Sequence, residues 1–397
     1  MSDRLAVDGG APVRTRGWPD WPDNRVEMWD DGIADELRQV FLGGVEASPA
    51  PRARAFSDAF AAYCGAAHGE MMPHGTDSLM AALTAVLDLD GFGDGGEVII
   101  PNYTFVATAA AALDRRCSVA FVDIDLLTRT IAPAAVEDAV VPGRTVAIMP
   151  VHLGGHPADM GALQAIADRH GLKIVEDCAQ AHGAEYQGRK VGSLGDAGAF
   201  SFQSSKNLTS GEGGIVTTND EETWHRVVAF KDCGRHPTGD SWPHPRLGGN
   251  HRTSEYLAVL LSARLGSLEA ETALRNENAA YLTAELAGLG GITPPRLAPY
   301  VTAHGYHHYM MLYDASEFGG RSRDEFLGAV RAEGVPVGAG YGAPLSDSPA
   351  LKHLAGKYPG LIRRLPCPNA EQVVTQSARV THSVLLGSRE DMDDIVE

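Results

Sequence analysis

One lysine, Lys206, lies in the stretch SFQSSKNLTSGEGG among small hydroxyl-bearing residues and glycines. The segments on either side, AGAFSF and GGIVTTND, are typical of two buried strands. A lysine between core strands loses part of its hydration, which lowers the pKa of the amine and frees its lone pair for nucleophilic chemistry. The chain has only six lysines, and the surroundings of the other five predict solvated positions. Lys206 is therefore the candidate for amine chemistry.

The segment LKIVEDCAQ puts an acidic residue, Asp177, at the end of a predicted buried strand. Open α/β sheets bind ligands at the carboxyl ends of their parallel strands. A carboxylate there can pair with a cationic group of a ligand, or it can cap a neighbouring turn and do nothing more. The segment alone leaves both interpretations open.

A third candidate is HGTDS (residues 74–78), directly before a predicted helix with Leu79, Leu83 and Leu87 on one face. Backbone N–H groups and small hydroxyls at a helix N-terminus can bind an anion such as phosphate. Thr76 or Asp77 could equally serve only as the N-cap of that helix.

Together, these three features fit one cofactor, pyridoxal phosphate. It needs an amine for a Schiff base, a carboxylate to keep its pyridine nitrogen protonated, and hydrogen-bond donors for its phosphate. The chain supplies all three, with Asp177 and Lys206 standing 29 positions apart (206 − 177). The combination is a much stronger signal than any one part.

The elements that must position these residues alternate between strands and helices. EVIIP, SVAFVDID and LKIVEDCAQ are predicted strands separated by helices, which indicates a mainly parallel sheet covered on both faces. One long helical stretch is predicted from Glu255 to about Leu289. Because 397 residues exceed one small core, we predict an N-terminal arm (1–25), a large domain (26–265) and a small α+β domain (266–397).

Other candidate sites are set aside by their context. The stretch GFGDGG (91–96) is spelled like a dinucleotide-binding loop, but a helix precedes it and a strand follows, the reverse of what that loop requires. The run HGYHH (304–308) begins a strand, whose alternation predicts that His307 and His308 point to opposite faces, so no metal site is expected. The five cysteines are scattered, so neither zinc ligation nor disulfides are expected.

The charge and hydropathy of the chain limit its partners. A net charge of −18 argues against nucleic acid and against an anionic membrane surface. The N-terminus has no apolar segment of signal-peptide length, and no run approaches the length of a transmembrane helix. We therefore expect a cytoplasmic protein.

Six long motifs follow one another over nearly the whole chain: GTDS, PNYTFVAT, PVHLGGHPADM, VEDCAQAHGAEYQGRKVGSLGDAGAFSFQSSKNLTSGEGG, GGNHRTSEYLAVLLSARL and SRDEFLGAVRAEGVPV. In these motifs and in their order the chain resembles the DegT/StrS family of sugar and cyclitol aminotransferases, which depend on pyridoxal phosphate. The resemblance implies an α/β protein of fold type I (aspartate aminotransferase-like). That fold has a large domain with a mainly parallel seven-stranded sheet and a smaller C-terminal α+β domain.

The resemblance also implies roles for single residues near the cofactor ring. Lys206 would form the Schiff base and move the proton at the substrate carbon. Asp177 would pair with the pyridinium, and Gln180 would contact the ring. The aromatic residue that stacks on the ring corresponds to Phe105, with Tyr103 as the neighbouring alternative.

Further implied positions surround the phosphate and the substrate. Gly75, Thr76 and Ser201 would hold the phosphate. Asn250 would reach it from the partner subunit, so the resemblance implies a homodimer. His182 would lie near the substrate, or it is simply a packed histidine at a strand end.

The implied activity is ping-pong transfer of an amino group from L-glutamine or L-glutamate to a ketone. Some relatives replace the lysine with histidine and act as dehydratases, so Lys206 favours transamination. The FSFQSSK and WPDWP segments resemble the branch that aminates keto-cyclitols such as scyllo-inosose in aminoglycoside and other natural-product biosynthesis, together with the related aminohydroxybenzoate synthases. Two alternatives stay open: a keto sugar linked to a nucleotide diphosphate as the acceptor, and a non-catalytic, cofactor-binding regulatory relative.

Overall fold

A computed structural model of the chain describes residues 4–21, 31–43, 50–237 and 244–397. The described residues form thirteen α-helices and fifteen strands. The helices are α1 (Asp31–Leu42), α2 (Pro51–Cys64), α3 (Gly75–Val86), α4 (Val106–Asp114), α5 (Pro133–Ala139), α6 (Met160–His170), α7 (Glu221–Lys231), α8 (Glu255–Leu265), α9 (Leu268–Leu286), α10 (Arg323–Ala332), α11 (Pro349–Lys357), α12 (Pro368–Gln376) and α13 (Arg389–Val396). The strands are β1 (His68–Met72), β2 (Glu97–Pro101), β3 (Ser118–Val122), β4 (Thr145–Ile148), β5 (Lys173–Asp177), β6 (Glu185–Tyr186), β7 (Arg189–Lys190), β8 (Ala197–Ser201), β9 (Gly214–Thr218), β10 (Ile292–Thr293), β11 (Val301–Ala303), β12 (His308–Tyr313), β13 (Val337–Ala339), β14 (Ile362–Arg364) and β15 (Ser377–Thr381).

The largest sheet has the strand order β1-β9-β8-β5-β4-β2-β3-β14. Strand β9 runs antiparallel to both of its neighbours, and the other strands run parallel to one another. Successive residues of β2 face opposite sides: Val98 and Ile100 pack with α3 and α4, whereas Ile99 packs with α5 and α6. The predicted fold class, a mainly parallel sheet covered on both faces, is confirmed.

Two details of the predicted fold are wrong. The sheet has eight strands rather than seven because β14, from the C-terminal region, pairs in parallel with β3. Its three residues, Ile-Arg-Arg, are too few and too polar to be recognised as a strand. The predicted single helix is two helices, α8 and α9, because Gly266 weakens helical structure and the Ser267 hydroxyl donates to the Arg264 carbonyl at 3.0 Å.

The remaining strands form two smaller antiparallel sheets. One has four strands in the order β10-β12-β15-β13, and helices α9, α10 and α13 pack on it. The other joins β11 to the β6–β7 hairpin. Among the described residues, no helix combines the length and the apolar composition needed to cross a membrane.

Residues 4–21 of the predicted arm pack against the C-terminal region, whereas residues 1–3 and 22–25 lie outside the described ranges. Arg14 is only 4% exposed, and its Nη1 lies 2.6 Å from Asp391 and 2.7 Å from Asp394, both on α13. The Trp18 indole N–H donates to the Gly334 carbonyl at 2.8 Å. The arm therefore reaches a fixed position, with Trp21 at its inner end.

Candidate active site

The carboxyl edge of the large sheet borders a cavity of about 960 Å³. Strand β5 ends there at Asp177 and β8 ends there at Ser201. The turn after β1 leads to Gly75, the first residue of α3, and the turn after β2 leads to Phe105. All four residues line the cavity. The topology thus gathers side chains that are far apart in the sequence.

Lys206 lies in the turn that follows β8 and lines the same cavity. Its backbone N–H donates to the Gln203 carbonyl at 2.9 Å, which closes the turn. Burial lowers the pKa of the Lys206 amine, while the negative charge of Asp177 acts in the opposite direction. Less energy is therefore needed to reach the neutral, nucleophilic amine than for a lysine in water.

Asp177 is 4% exposed, and both of its carboxylate oxygens accept hydrogen bonds. One accepts from the Thr108 hydroxyl at 2.8 Å and the other from the Ala179 backbone N–H at 3.1 Å. Burial nevertheless raises the pKa of Asp177, although these bonds and the Lys206 charge oppose the rise. A cation brought by a ligand would stabilise this carboxylate.

Helix α3 begins at the cavity without a side-chain cap. Its N-cap residue is His74, and neither Thr76 nor Asp77 caps it as the sequence allowed. The Asp77 carboxylate instead contacts the rings of His74 and His251, at 2.9 and 2.8 Å. The first backbone N–H groups of α3 therefore remain free of intrahelical and side-chain caps, as an anion site requires.

Gly75 lets the helix approach the end of β8 closely. A Cβ at Gly75 would lie 2.5 Å from the Cβ and 2.9 Å from the Oγ of Ser201, closer than real side chains come. Glycine therefore lets the N-terminus of α3 lie directly beside the Ser201 hydroxyl. Helix N–H groups and a hydroxyl placed side by side are suitable donors for a phosphate group.

The residues predicted around a cofactor ring differ in exposure. The Phe105 side chain is 57% exposed at the cavity, whereas Tyr103 is 1% exposed and its hydroxyl accepts from the Tyr341 backbone N–H at 3.1 Å. Gln180 accepts from the Gly154 N–H at 2.8 Å and donates to the Tyr341 hydroxyl at 3.0 Å. Phe105 is thus free to stack on a ligand, and Tyr103 supports the wall.

Two predicted residues lie apart from the others. His182 is fully buried beside Phe200 and Phe202, at 5.5 and 5.7 Å between ring centroids, and does not line the cavity. Burial lowers its pKa to about 3, so the ring is neutral. Asn250 is exposed and does not line the cavity of its own chain.

Comparison with known proteins identifies the family. The sequence profile of the DegT/DnrJ/EryC1/StrS aminotransferase family matches residues 28–397. The chain belongs to this aminotransferase family. It is 39% identical to a putative L-glutamine:3-amino-2,3-dideoxy-scyllo-inosose aminotransferase of Streptomyces kanamyceticus, with 100% of this chain and 96% of that protein aligned.

Two further relatives agree. An L-glutamine:2-deoxy-scyllo-inosose aminotransferase of Streptoalloteichus tenebrarius is 39% identical, again over 100% of this chain and 96% of the relative. The crystal structure of 3-amino-5-hydroxybenzoic acid synthase superposes with a TM-score of 0.85 at 29% identity and covers 96% of this chain and 97% of that one. The cavity described above is accordingly the candidate active site of an aminotransferase.

The far wall of the aminotransferase cavity consists of residues that the sequence did not single out for the site. Trp21 comes from the arm, Tyr341 follows β13, Arg379 lies on β15 and His382 follows β15. The Trp21 and His382 rings meet edge to face, with 4.4 Å between centroids. The sequence offered one signal for this wall, the charged Arg379 within a strand, and a single charged residue in a strand does not by itself identify a site.

The predicted separation of His307 from His308 is wrong. Strand β12 begins only at His308, so the alternation does not extend to His307, and the ring centroids are 4.2 Å apart. Both rings line the cavity. Each has a protein partner, because His307 contacts Asn207 and His308 contacts Arg379.

A buried cluster of His152, Glu176 and Cys178 lies behind the site and has a structural explanation. The Glu176 carboxylate accepts backbone N–H groups of Gly192, Leu194 and Gly195 at 2.8–2.9 Å, and it contacts His152 Nε2 at 3.0 Å. These donors lower the pKa of Glu176 despite its burial. The carboxylate fixes the loop that leads into β8 and therefore the position of Ser201.

Proposed function

We propose that the aminotransferase binds pyridoxal 5′-phosphate in this cavity and moves an amino group from L-glutamine or L-glutamate to the ketone of a cyclitol. The observation that carries the proposal is the convergence of three groups on one cavity. These are the desolvated amine of Lys206, the buried carboxylate of Asp177 and the uncapped N-terminus of α3.

The residues fit the cofactor part by part. Gly75 and Thr76 at the N-terminus of α3 would hold the phosphate together with the adjacent Ser201 hydroxyl, since helix N–H groups and a hydroxyl are suitable donors. Asp177 would pair with the ring nitrogen, and Phe105 would stack on the ring. When bound, the cofactor supplies an electron sink for the negative charge that develops at the amino-bearing carbon.

The protein's own contribution is covalent attachment and proton movement. Lys206 would hold the cofactor through its amine and then carry the proton to and from the substrate carbon in both halves of the reaction. Burial favours this task because it lowers the pKa of the amine. The Gln180 amide, fixed between Gly154 and Tyr341, would hold the cofactor in register with Lys206.

The cavity charges favour an acceptor without negative charge. Its described lining contains two cationic side chains, Lys206 and Arg379, and three acidic ones, Asp77, Asp177 and Glu212. A nucleotide diphosphate would bring further negative charge that only Arg379 could neutralise there. A keto-cyclitol brings no negative charge, and the relatives named for scyllo-inosose substrates support the same choice.

Arg379 is suited to the carboxylate of the amino donor. Its Nε donates to the Ala339 carbonyl at 2.8 Å and its Nη1 lies 2.9 Å from His308 Nδ1, whereas no acidic residue of the described ranges pairs with it. We expect Arg379→Gln to raise the KM for L-glutamine roughly 10- to 100-fold, because a charge-assisted hydrogen bond is lost. Steady-state kinetics in the donor concentration would measure this.

Arg364→Gln is the matched control, since Arg364 pairs with Asp347 and Glu371 on the surface. An unchanged KM in Arg379→Gln would show that the donor carboxylate binds elsewhere.

Gly75→Ala tests the proposed phosphate site. The added methyl group would lie 2.5 Å from the Ser201 Cβ and force Ser201 and the N-terminus of α3 apart, so we expect cofactor affinity to fall roughly 10-fold or more. The measurement is a titration of cofactor-free protein with pyridoxal phosphate, followed by absorbance. Gly328→Ala in α10, where nothing lies within 4 Å, is the control and should bind normally. Equal affinity in both variants would contradict the assignment.

We further propose a homodimer in which Asn250 reaches the phosphate of the partner's cofactor. Asn250 is exposed, and its neighbour His251 contacts Asp77 in the first turn of α3, so this segment lies beside the site entrance. Light scattering should give twice the mass of one chain. Asn250→Ala should weaken cofactor binding without changing that mass, whereas a monomer with full activity would reject the proposal.

The experiment that tests the function uses the purified protein loaded with cofactor. The visible spectrum should change on addition of L-glutamine, and 2-deoxy-scyllo-inosose should restore it and appear as an amine by mass spectrometry. A protein that never binds the cofactor would refute the central proposal. A spectrum restored only by a nucleotide-linked keto sugar would replace the acceptor and keep the chemistry.

A further inference from the structure

A chain of hydrogen bonds fixes which nitrogen of His307 carries the proton. The Asn207 side chain is 1% exposed, and its Nδ2 donates to the Gly305 carbonyl at 2.6 Å. A carbonyl can only accept, so the amide orientation is determined, and Asn207 Oδ1 faces His307 Nδ1 at 3.2 Å. Since Oδ1 can only accept, Nδ1 of His307 must be the donor.

The imidazole of His307 is neutral. Burial lowers its pKa well below the usual range, and the nearby charge of Lys206 lowers it further. A neutral ring with its proton on Nδ1 has a lone pair on Nε2. Nε2 is therefore an acceptor and not a donor.

Nε2 of His307 is available to a ligand. No residue of the described ranges hydrogen-bonds to it, and it is not among the side-chain atoms that are buried without a partner, whereas both ring nitrogens of His182 are. His307 lines the cavity together with Lys206.

The two other histidines of the wall are differently engaged. His382 Nε2 lies 3.0 Å from the Ser205 carbonyl and must donate to it, and the His308 ring receives the guanidinium of Arg379. Of these three wall histidines, His307 alone combines a fixed tautomer with a free acceptor nitrogen in the described structure. His74, which also lines the cavity, donates from Nδ1 to Asp77, but its ring is 55% exposed to solvent.

We propose that Nε2 of His307 accepts a hydrogen bond from a hydroxyl group of the keto-cyclitol acceptor and so selects for a polyhydroxylated ring. This inference rests on the proposed function. A cyclitol presents a hydroxyl on most of its ring carbons, and a buried acceptor left without a donor would disfavour analogues that lack the group. Asn207, which fixes the proton of His307 on Nδ1, directly follows Lys206 in the sequence. The turn that carries the amine therefore also orients the ring that would bind the acceptor.

The test uses two substitutions in the cofactor-loaded enzyme. His307→Asn keeps an amide N–H near Nδ1 for Asn207 and removes the acceptor at Nε2, whereas His307→Gln returns an amide oxygen to that position. We expect His307→Asn to slow the acceptor half-reaction at least ~10-fold more than the donor half-reaction, and His307→Gln to recover part of the difference. Single-turnover absorbance traces separate the two halves.

A binding readout is independent of turnover. Calorimetry with scyllo-inositol, a ring with six hydroxyls and no ketone, should give a dissociation constant at least ~10-fold higher for His307→Asn than for wild type. Equal slowing of both half-reactions would mean that Nε2 interacts with Lys206 or with the amino donor, and would overturn the proposal. Unchanged kinetics in His307→Asn would overturn it as well. A wild-type enzyme that neither binds scyllo-inositol nor aminates a keto-cyclitol would instead reject the proposed function itself. Melting temperatures of both variants exclude misfolding as the cause.

Discussion

Lys206→Ala should lower amino transfer by about 1,000-fold or more, because the same amine attaches the cofactor and moves the proton. Its surroundings justify the magnitude, since Lys206 is the only lysine that lines the described cavity. The variant should also lose the visible absorption band that depends on covalent attachment. Absorbance of the reconstituted protein and product formation over a long incubation would measure both losses.

Lys190→Ala is the control for this substitution. Lys190 lies in the β6–β7 hairpin, where its amine pairs with Glu185 at 2.9 Å and Glu269 at 2.8 Å, outside the cavity. It should retain the absorption band and the activity. If Lys206→Ala kept both, a different amine would be the attachment point and the site assignment would fail.

Asp177→Asn should reduce turnover roughly 100- to 1,000-fold while the protein still binds the cofactor. The asparagine can keep one acceptor oxygen but removes the negative charge, so the ring nitrogen would no longer be held protonated and the electron sink would weaken. Thr108→Val is the graded comparison. It removes one hydrogen bond from the carboxylate and leaves the charge, so a loss below ~10-fold is expected.

Asp177→Asn should reduce activity but should not reduce the stability of the fold. Burial raises the pKa of Asp177 above its ordinary value, so the ionised carboxylate is less favourable in the folded cofactor-free protein than in the unfolded chain. Above the folded-state pKa this group therefore subtracts stability, and Asp177→Asn should not lower the melting temperature at neutral pH. A large drop would mean that Asp177 mainly supports the fold. Calorimetric melting of the cofactor-free proteins would distinguish the two cases.

Sequence patterns located Lys206, Asp177 and Gly75 because each is tied to a local element. A strand end or a helix start can be recognised within about ten residues, and parallel strands bring their carboxyl ends to one edge. The fold class followed from the same alternation. In contrast, β14 was missed because three residues carry no periodicity.

The far wall was not predictable by this reasoning. Tyr341 and Arg379 enter the cavity only because the four-stranded sheet packs against the edge of the large one, and no local pattern encodes that packing. The alternation rule misplaced His307 because it assumed that the strand began earlier than it does. The tautomer of His307 depends on its contact with Asn207, and a contact between residues 100 positions apart can be recognised only in the folded structure.

The salt bridges between Arg14 of the arm and α13 also constrain the order in which the protein can fold during synthesis. Arg14 is synthesised 377 and 380 positions before its partners Asp391 and Asp394. The strands around Asp177 and Lys206 can pair before then, since domains fold as their segments emerge. Trp21, however, packs against His382, and the arm that carries it pairs with α13, so its place in the wall depends on segments made much later. The wall opposite Lys206 is therefore the part of the candidate active site that a nascent chain completes last, and a chain that stops before β15 would carry Lys206 without an enclosed cavity.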